Sequence, residues 1–381
     1  MFSQGAGLLV RPLVFQTGIA QKRRLSLTHS DLLELSIVVP VYNESETLPA
    51  LLASLAAQRQ VRFELLVCDG GSGDGTPDVL RGAEVSFPCR LIVSDKGRGR
   101  QLNAGAGAAR ASLLLFLHAD SAFPDPLAFR KGLNALAASG CDVAGHFALR
   151  FAGEDGALAA GYYFYECKAC LHRPGCTHGD QGVLIDRHLF ETVGPFDEDL
   201  GFLEDTRLAD RIHAQGSWLL LPAEIVTSPR RLQAEGLYPR QLLNALIMNF
   251  AAIGWMEILA QLPALYRSQD RASYLRLLPF FQEIRRRLKP LPLLRRWRLW
   301  YLTGRYVRQN AWQLAFALDV RARRRRGLAA GCEPAPRLAR FDRWWDRLTD
   351  HPPGRAAAAL LVWLWFHGYL LILERRESIA C

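Results

Sequence analysis

The chain has 381 residues, room for two domains at about 100–200 residues each. Half of the residues are apolar and 22% are charged, which excludes a disordered or collagen-like chain, and eight cysteines are too sparse for a disulfide scaffold. The net charge of +10 is uneven: residues 271–381 carry 23 Lys+Arg against 8 Asp+Glu, and residues 1–270 carry 24 against 29, so a mildly acidic body precedes a strongly basic extension.

Residues 1–34 read as a disordered leader. The first 30 contain no Asp or Glu, and Arg11 cuts the apolar run 7–10 short of a signal-peptide core. Residues 36–41 (SIVVPV) are a β-branched run, a buried strand by composition. Leu48, Leu51, Leu52 and Leu55 recur at helical spacing over 47–58. Residues 63–68 (FELLVC) predict a second strand ending at Asp69, and the cluster 70–77 (GGSGDGTP) predicts a loop. A third strand is expected over 90–94, a helix over 97–110 after its glycines, and a fourth strand over 112–117 ending at His118-Ala119-Asp120. Further on, 183–185 and 218–221 read as strands, 203–215 as a helix opening with Glu204 and Asp205, and 240–265 as one long apolar helix.

Strands alternating with short helices imply an α/β fold: a mainly parallel sheet with helices on both faces. Such sheets bind ligands beyond the carboxyl ends of their strands. Those ends carry Tyr42-Asn43-Glu44, Asp69, Lys96-Gly97-Arg98 and His118-Ala119-Asp120, so the polar residues fall where the architecture places a site.

Gly71-x-Gly73 after a strand raises a dinucleotide fingerprint, but Pro77 and the acids Asp69 and Asp74 argue against a pyrophosphate there. No Walker A pattern is present. Asp120 is a hard oxygen ligand suited to a divalent metal carrying phosphate oxygens, with a helix cap or Asx turn as the bland alternative. Acids in a first helical turn suit the macrodipole, so Glu204 has a structural explanation, whereas a carboxylate near an anionic ligand has its charged form disfavoured and suits a general base. Cys167, Cys170, His172, Cys176 and His178 invite a zinc reading, but their spacing fits neither a finger nor a knuckle, and incidental thiols near a loop are the better account. Arg98 and Arg100 are a basic turn or, beside a phosphate ligand, pyrophosphate clamps. Nucleic acid fits poorly, because no aromatic residues interleave with these basic ones.

Pro40-Val41-Tyr42-Asn43-Glu44, Asp69-Gly70-Gly71-Ser72-Gly73-Asp74, His118-Ala119-Asp120 and Glu204-Asp205, in that order, resemble the family 2 glycosyltransferases of GT-A fold over about residues 35–230. The resemblance implies that Pro40, Tyr42, Glu44 and Asp69 border the nucleotide base and ribose of a nucleotide-sugar donor, with Gly71, Arg98 and Gln101 also on the donor. It implies that Asp120, with His118, binds a divalent cofactor (Mn²⁺ or Mg²⁺) on the donor diphosphate. It makes Asp205, beside Glu204, the base that deprotonates the acceptor hydroxyl, and it sets Gly179, Asp180 and Gln181 on the acceptor side. Inversion at the anomeric carbon would follow from in-line attack. Residues 97–106, 116–120 and 179–182 are similar to a bacterial subgroup associated with arsenosugar biosynthesis and diaponeurosporenoate glycosylation. His118 departs from the family in replacing the first Asp of Asp-x-Asp. The Gln-x-x-Arg-Trp element of processive synthases is missing, which argues for transfer of a single sugar.

The extension, 236–381, is expected to be helical, basic and membrane-associated. Arg285–287, Arg295–298 and Arg321–326 alternate with apolar residues, as in helices on an anionic membrane surface. Residues 356–373 carry no formal charge and at about 1.5 Å per residue reach roughly 27 Å, just short of a bilayer core, so an interfacial or bundled helix is favoured over a span. A solvated helical bundle is the bland alternative. The expected protein is a metal-dependent transferase at the cytoplasmic membrane face with a lipid or small-molecule acceptor. The alternatives are a nucleotidyltransferase, which lacks its basic Gly-rich loop here, and a degenerate sugar-nucleotide binding module.

Overall fold

In the computed structural model the apolar runs after residue 33 become the strands of one seven-stranded sheet, in the order 89–93, 63–69, 35–41, 113–116, 183–186, 143–151 and 217–227. The structure describes residues 33–153, 159–199, 201–267, 269, 274–331 and 334–380. The leader expected over 1–34 therefore lies almost entirely outside the described residues. Leu33 and Glu34 are the exceptions, and the Glu34 carboxylate accepts from Arg130 at 2.6 Å and from the Arg62 N–H at 3.0 Å.

Strands β1 (Leu35–Val41), β2 (Phe63–Asp69), β3 (Cys89–Val93) and β4 (Leu113–Phe116) pair in parallel, with β1 between β2 and β4. β1 and β2 are buried nearly throughout, as central parallel strands covered on both faces must be. Strand β5 (Val143–Phe151) pairs in parallel with β7 (Ser217–Thr227), and β6 (Val183–Asp186) runs antiparallel between β4 and β5. The sheet is mixed and mostly parallel, as the alternation of elements implied.

On one face, helices α1 (Leu48–Ala56), α4 (Ala128–Ala137) and α5 (Ala159–Ala169) cover a core of Leu51, Phe129, Phe147 and their neighbours. On the other, α3 (Arg98–Ala108), α6 (Arg187–Val193) and α7 (Glu204–Gln215) cover Val38, Leu66, Phe116 and Ile185. In α3 a Cβ on Gly105 would stand 2.3 Å from Val38 Cγ1 and 2.6 Å from Cys68 Sγ, so only glycine lets α3 sit this close to β1 and β2.

Three sequence expectations change. Thr76 and Pro77, placed in a loop, form the first turn of α2 (Thr76–Gly82), where a missing N–H has no helical partner to lose. β5 was not expected at all, because Gly145 and His146 break its apolar alternation. The helix expected over 240–265 is three: α9 (Leu237–Ile253), α10 (Met256–Leu259) and α11 (Leu262–Arg267), separated where Gly254 turns left-handed at φ 70°. The short α8 (Arg230–Glu235) precedes them.

The C-terminal region continues as α12 (Leu278–Leu288), α13 (Leu293–Gln309), α14 (Trp312–Arg325), α15 (Pro336–Thr349) and α16 (Pro352–Ala380). Phe250, Phe281, Trp300 and Phe366 gather α9, α12, α13 and α16 into their own core. A smaller cluster joins α14 and α15 to the sheet-bearing part: Trp312, Phe316 and Leu338 pack with Cys167 and Cys176. Helix α16 is long and apolar enough to cross a membrane by length and composition.

Candidate active site

The loops that follow β1 and β2 are cross-linked into one rim. Asp69, buried at the end of β2, accepts from the N–H groups of Gly71 and Ser72 at 3.1 Å each. Asn43, left-handed at φ 56°, donates its N–H to Ser72 Oγ and accepts from the Gly73 N–H, both at 2.9 Å. The Glu44 N–H donates to Thr76 Oγ1 at 2.9 Å and the Ser45 N–H to Asp74 at 3.0 Å. Gly71, at φ 85°, takes a turn that disfavours any side chain. Pro40 lies opposite Cys68 in the ladder, Tyr42 is exposed, and the Lys96 ammonium stands 3.5 Å from the centre of the Tyr42 ring.

Gln101 corrects one expectation. Its Nε2 donates to the carbonyls of Val41 and Cys68 at 2.7 Å each, deep beneath the rim. The amide expected on the donor instead bolts together the ends of β1 and β2, and it shares the Val41 carbonyl with the Gly70 N–H. Gln181, expected on the acceptor side, is likewise buried, and its Nε2 donates to the Cys176 carbonyl at 2.8 Å.

The remaining residues converge. His118 and Asp120 follow β4, Gly179 and Asp180 lie in a 3₁₀ turn before β6, and Glu204 and Asp205 open α7. Asp205 Oδ2 accepts from the Gly179 N–H and Oδ1 from the Thr206 N–H, both at 2.7 Å. A Cβ on Gly179 would lie 2.8 Å from His118 Nε2 and 3.1 Å from Asp205 Oδ2, so the three residues meet with no space between them. Arg98, the first residue of α3, donates to Glu204 Oε1 at 3.1 Å. Leu203, immediately before this helix, is left-handed at φ 74°, a conformation that costs a non-glycine residue about 1–2 kcal/mol. The strain sits where the chain turns to present the two acids.

Two arginines escaped the sequence reading. Arg230, at the start of α8, pairs with Glu44 at 2.8 Å, and Arg230 and Arg231 both bear electrostatically on Asp120. Adjacent cations at a helix N-terminus oppose the macrodipole, and that local mismatch was the available signal. His178 was read only as a possible zinc ligand. It lies beside Thr206, with Nδ1 3.4 Å from Oγ1, and acts electrostatically on Asp205. For the zinc alternative itself, no three His, Cys, Asp or Glu side chains among the described residues group to hold a metal ion.

Burial dominates the electrostatics of this centre. It raises Asp120 and Glu204 above the usual carboxylate range, although Arg230 and Arg98 respectively oppose it. Asp180 is pushed up to about 7, by burial and then by the charges of Asp205 and Asp120. Its Oδ1 is buried and has no hydrogen-bond partner among the described residues. Burial and then Arg98 hold His118 down to about 3, so its imidazole is neutral. Asp205 goes the other way from the raised value expected. Burial pushes it up, but His178, Arg98 and the Gly179 N–H outweigh burial and keep it ionised. The centre thus combines a fixed carboxylate, a neutral imidazole and two carboxylates, on Asp120 and Asp180, that resist ionising without a nearby cation.

The model of the family described as glycosyl transferase family 2 matches residues 36–181. Glycosyltransferase AglE of Haloferax volcanii is 28% identical over 174 residues, 43% of this chain and 56% of AglE. A PGL/p-HBAD biosynthesis glycosyltransferase of Mycobacterium tuberculosis is 40% identical over 88 residues, 22% of this chain and 34% of that protein. The chain therefore spans between a third and somewhat over half the length of these curated relatives. Among solved structures, the mannosyltransferase PcManGT from Pyrobaculum calidifontis, in complex with GDP-Man and Mn²⁺, is 20% identical with a TM-score of 0.44, covering 91% of this chain and 87% of its own. The matched segment runs from β1 through the Gly179–Gln181 turn and carries both Asp69 and Asp120, so the likeness to glycosyl transferase family 2 lies in the strand-bearing part of the chain.

Proposed function

We propose that the chain transfers a single sugar from a nucleotide-diphosphate sugar to a hydroxyl of a lipid or small-molecule acceptor, with inversion at the anomeric carbon. The observation that carries the proposal is the convergence of Asp205, His118, Gly179 and the Arg98–Glu204 pair beside Asp120, at the carboxyl ends of the strands. Asp205 is the base. Ionised and fixed by two backbone N–H groups, it accepts the proton of the acceptor hydroxyl as that oxygen bonds to the anomeric carbon. The bond from that carbon to the diphosphate breaks, and the nucleoside diphosphate leaves with the electron pair. Arg98, Arg230 and Arg231 offer positive charge where that negative charge develops. Glu204 holds Arg98 and takes no proton from substrate.

A divalent cation, Mn²⁺ or Mg²⁺, fits the residues present. Asp120 would hold it, with Asp180 as the neighbouring carboxylate, because both are half-buried, mutually repelling oxygen donors that a cation would stabilise in their ionised forms. Such an ion supplies charge neutralisation on the donor diphosphate. The rim formed by Tyr42, Glu44, Asp69 and Gly71 borders the nucleotide, and the Gly179 turn faces the acceptor. The resemblance to the arsenosugar- and diaponeurosporenoate-associated subgroup is compatible with this reading and does not select an acceptor.

The test is a panel of UDP- and GDP-sugars read by thermal shift with and without Mn²⁺, followed by turnover of whichever donor binds. Asp205→Asn should lower transfer by about 10²–10⁴ while leaving donor binding close to the parent. Transfer within tenfold of the parent would remove Asp205 from this role.

A further inference from the structure

Fifteen of the twenty large hydrophobic side chains exposed among the described residues lie after residue 292, so the exposed apolar surface is concentrated in the C-terminal helices. Its longest stretch is on α16. Ala359, Phe366 and Leu370 are buried against the bundle, while Leu360, Leu361, Leu364, Trp365, Leu371 and Ile372 stand in solvent on the opposite side. At 100° per residue these six fall within one stripe, which runs into exposed Arg375 and Arg376.

Whether α16 could instead cross a bilayer is decided by its neighbour. A Cβ on Gly304 of α13 would stand 2.4 Å from the Ala359 backbone nitrogen, and Trp300 packs on Phe366 with ring centres 5.2 Å apart. Moving back along α13 thus moves forward along α16, and the two helices lie antiparallel in close contact over the charge-free stretch. Carrying α16 through hydrocarbon would carry Arg298 and Arg305 of α13 to similar depth. Each arginine at the bilayer centre lowers the insertion equilibrium by roughly 70-fold or more. The same pairing puts the first turns of α13, with exposed Leu293, Leu294 and Trp297 and the cations Arg295 and Arg298, at the Leu371 end of α16.

We propose that α16 lies flat in the surface of an anionic lipid bilayer, with its Leu360–Ile372 stripe among the acyl chains and the arginines of α13 and α16 on the headgroups. The occupant is lipid because the stripe is rimmed by cations in a region of net charge +15 over residues 271–381, which a like-charged second copy of this chain would not match. This inference is independent of the catalytic proposal, since none of its residues belongs to the strand-end site.

The experiment is co-sedimentation of the full chain with phosphatidylglycerol-containing vesicles against pure phosphatidylcholine vesicles. Binding should favour the anionic vesicles and weaken as salt rises. The double variant Leu361→Glu, Leu364→Glu should bind at least tenfold more weakly. Arg375→Gln with Arg376→Gln should lose about fivefold per arginine at low salt. Both pairs are exposed, so unfolding midpoint and nucleotide binding should match the parent, and the arginine variant stands alone if the leucine variant fails to fold. A C-terminal epitope should be removed by protease from intact vesicles. Equal binding of parent and both variants, a protected epitope, or a parent that dimerises and ignores anionic vesicles would each overturn the proposal.

Discussion

Replacing Gly179 by alanine probes the centre without deleting any functional group. Gly179 is not left-handed, so the backbone tolerates alanine, and the whole effect comes from the added methyl. That methyl would meet His118 Nε2 at 2.8 Å, Asp205 Oδ2 at 3.1 Å and Asp205 Cβ at 3.3 Å. To regain an ordinary contact of 3.4 Å, His118 must retreat by about 0.6 Å and Asp205 by about 0.3 Å. Neither is the free end of a flexible chain: Asp205 is pinned by the Gly179 and Thr206 N–H groups, and His118 follows a central strand. Overpacking of this kind costs about 1–3 kcal/mol. A 1 Å misplacement of a reacting group costs about 10²-fold in rate, so a shift of about 0.3 Å in Asp205 should cost about fourfold. Urea unfolding measures the first quantity, and kcat/KM for the donor found in the panel measures the second. Gly107→Ala is the control, because nothing lies within 4 Å of its added methyl; it should be neutral or stabilise by up to about 1 kcal/mol. A Gly179→Ala protein with parental stability and rate would refute the packing argument. One that loses stability but keeps the parental rate would separate Gly179 from the positioning of Asp205.

Asp120→Ala should weaken binding of the nucleotide-sugar and abolish its dependence on Mn²⁺ or Mg²⁺, measured by titration with and without chelator; parental binding indifferent to chelator would end the metal assignment. His146 is fully buried, and burial, with smaller contributions from His172 and His213, holds it down to about 4. The unfolded chain therefore binds the proton first, and about 3 kcal/mol of stability should be lost as pH falls from about 6.5 to 4. His146→Leu should flatten that part of the urea-midpoint profile, and an unchanged slope would contradict it. Gly105→Ala should destabilise by more than 3 kcal/mol or fail to fold, because both of its close contacts lie in buried strands β1 and β2, and an unfolding midpoint like that of the parent would refute the close approach of α3.

Short-range patterns were enough to read the strands β1, β2 and β4, the helices α1 and α7, and the polar residues at the strand ends. A buried parallel strand needs an unbroken apolar run, and its ligand-facing end must switch abruptly to polar residues. Local pattern could not reveal β5, whose glycine and histidine are tolerated only because Leu221 and Trp218 pack against them. Nor could it divide polar residues between scaffold and site. Gln101 and Arg98 lie three residues apart on one helix, yet one binds strand carbonyls and the other reaches Glu204, 106 positions away. The ionisation of Asp205 and Asp180 is a tertiary matter too. Each carboxylate is set by burial and by groups contributed from other elements, with Arg98 and the Gly179 N–H acting on the first and the charges of Asp205 and Asp120 on the second. The charge-free stretch over 356–373 was legible as apolar, but its orientation was not. An isolated helix of that length suits either a span or a surface, and the proposal of a surface helix rests on the arginine-bearing α13 packed along it, which no local pattern reveals.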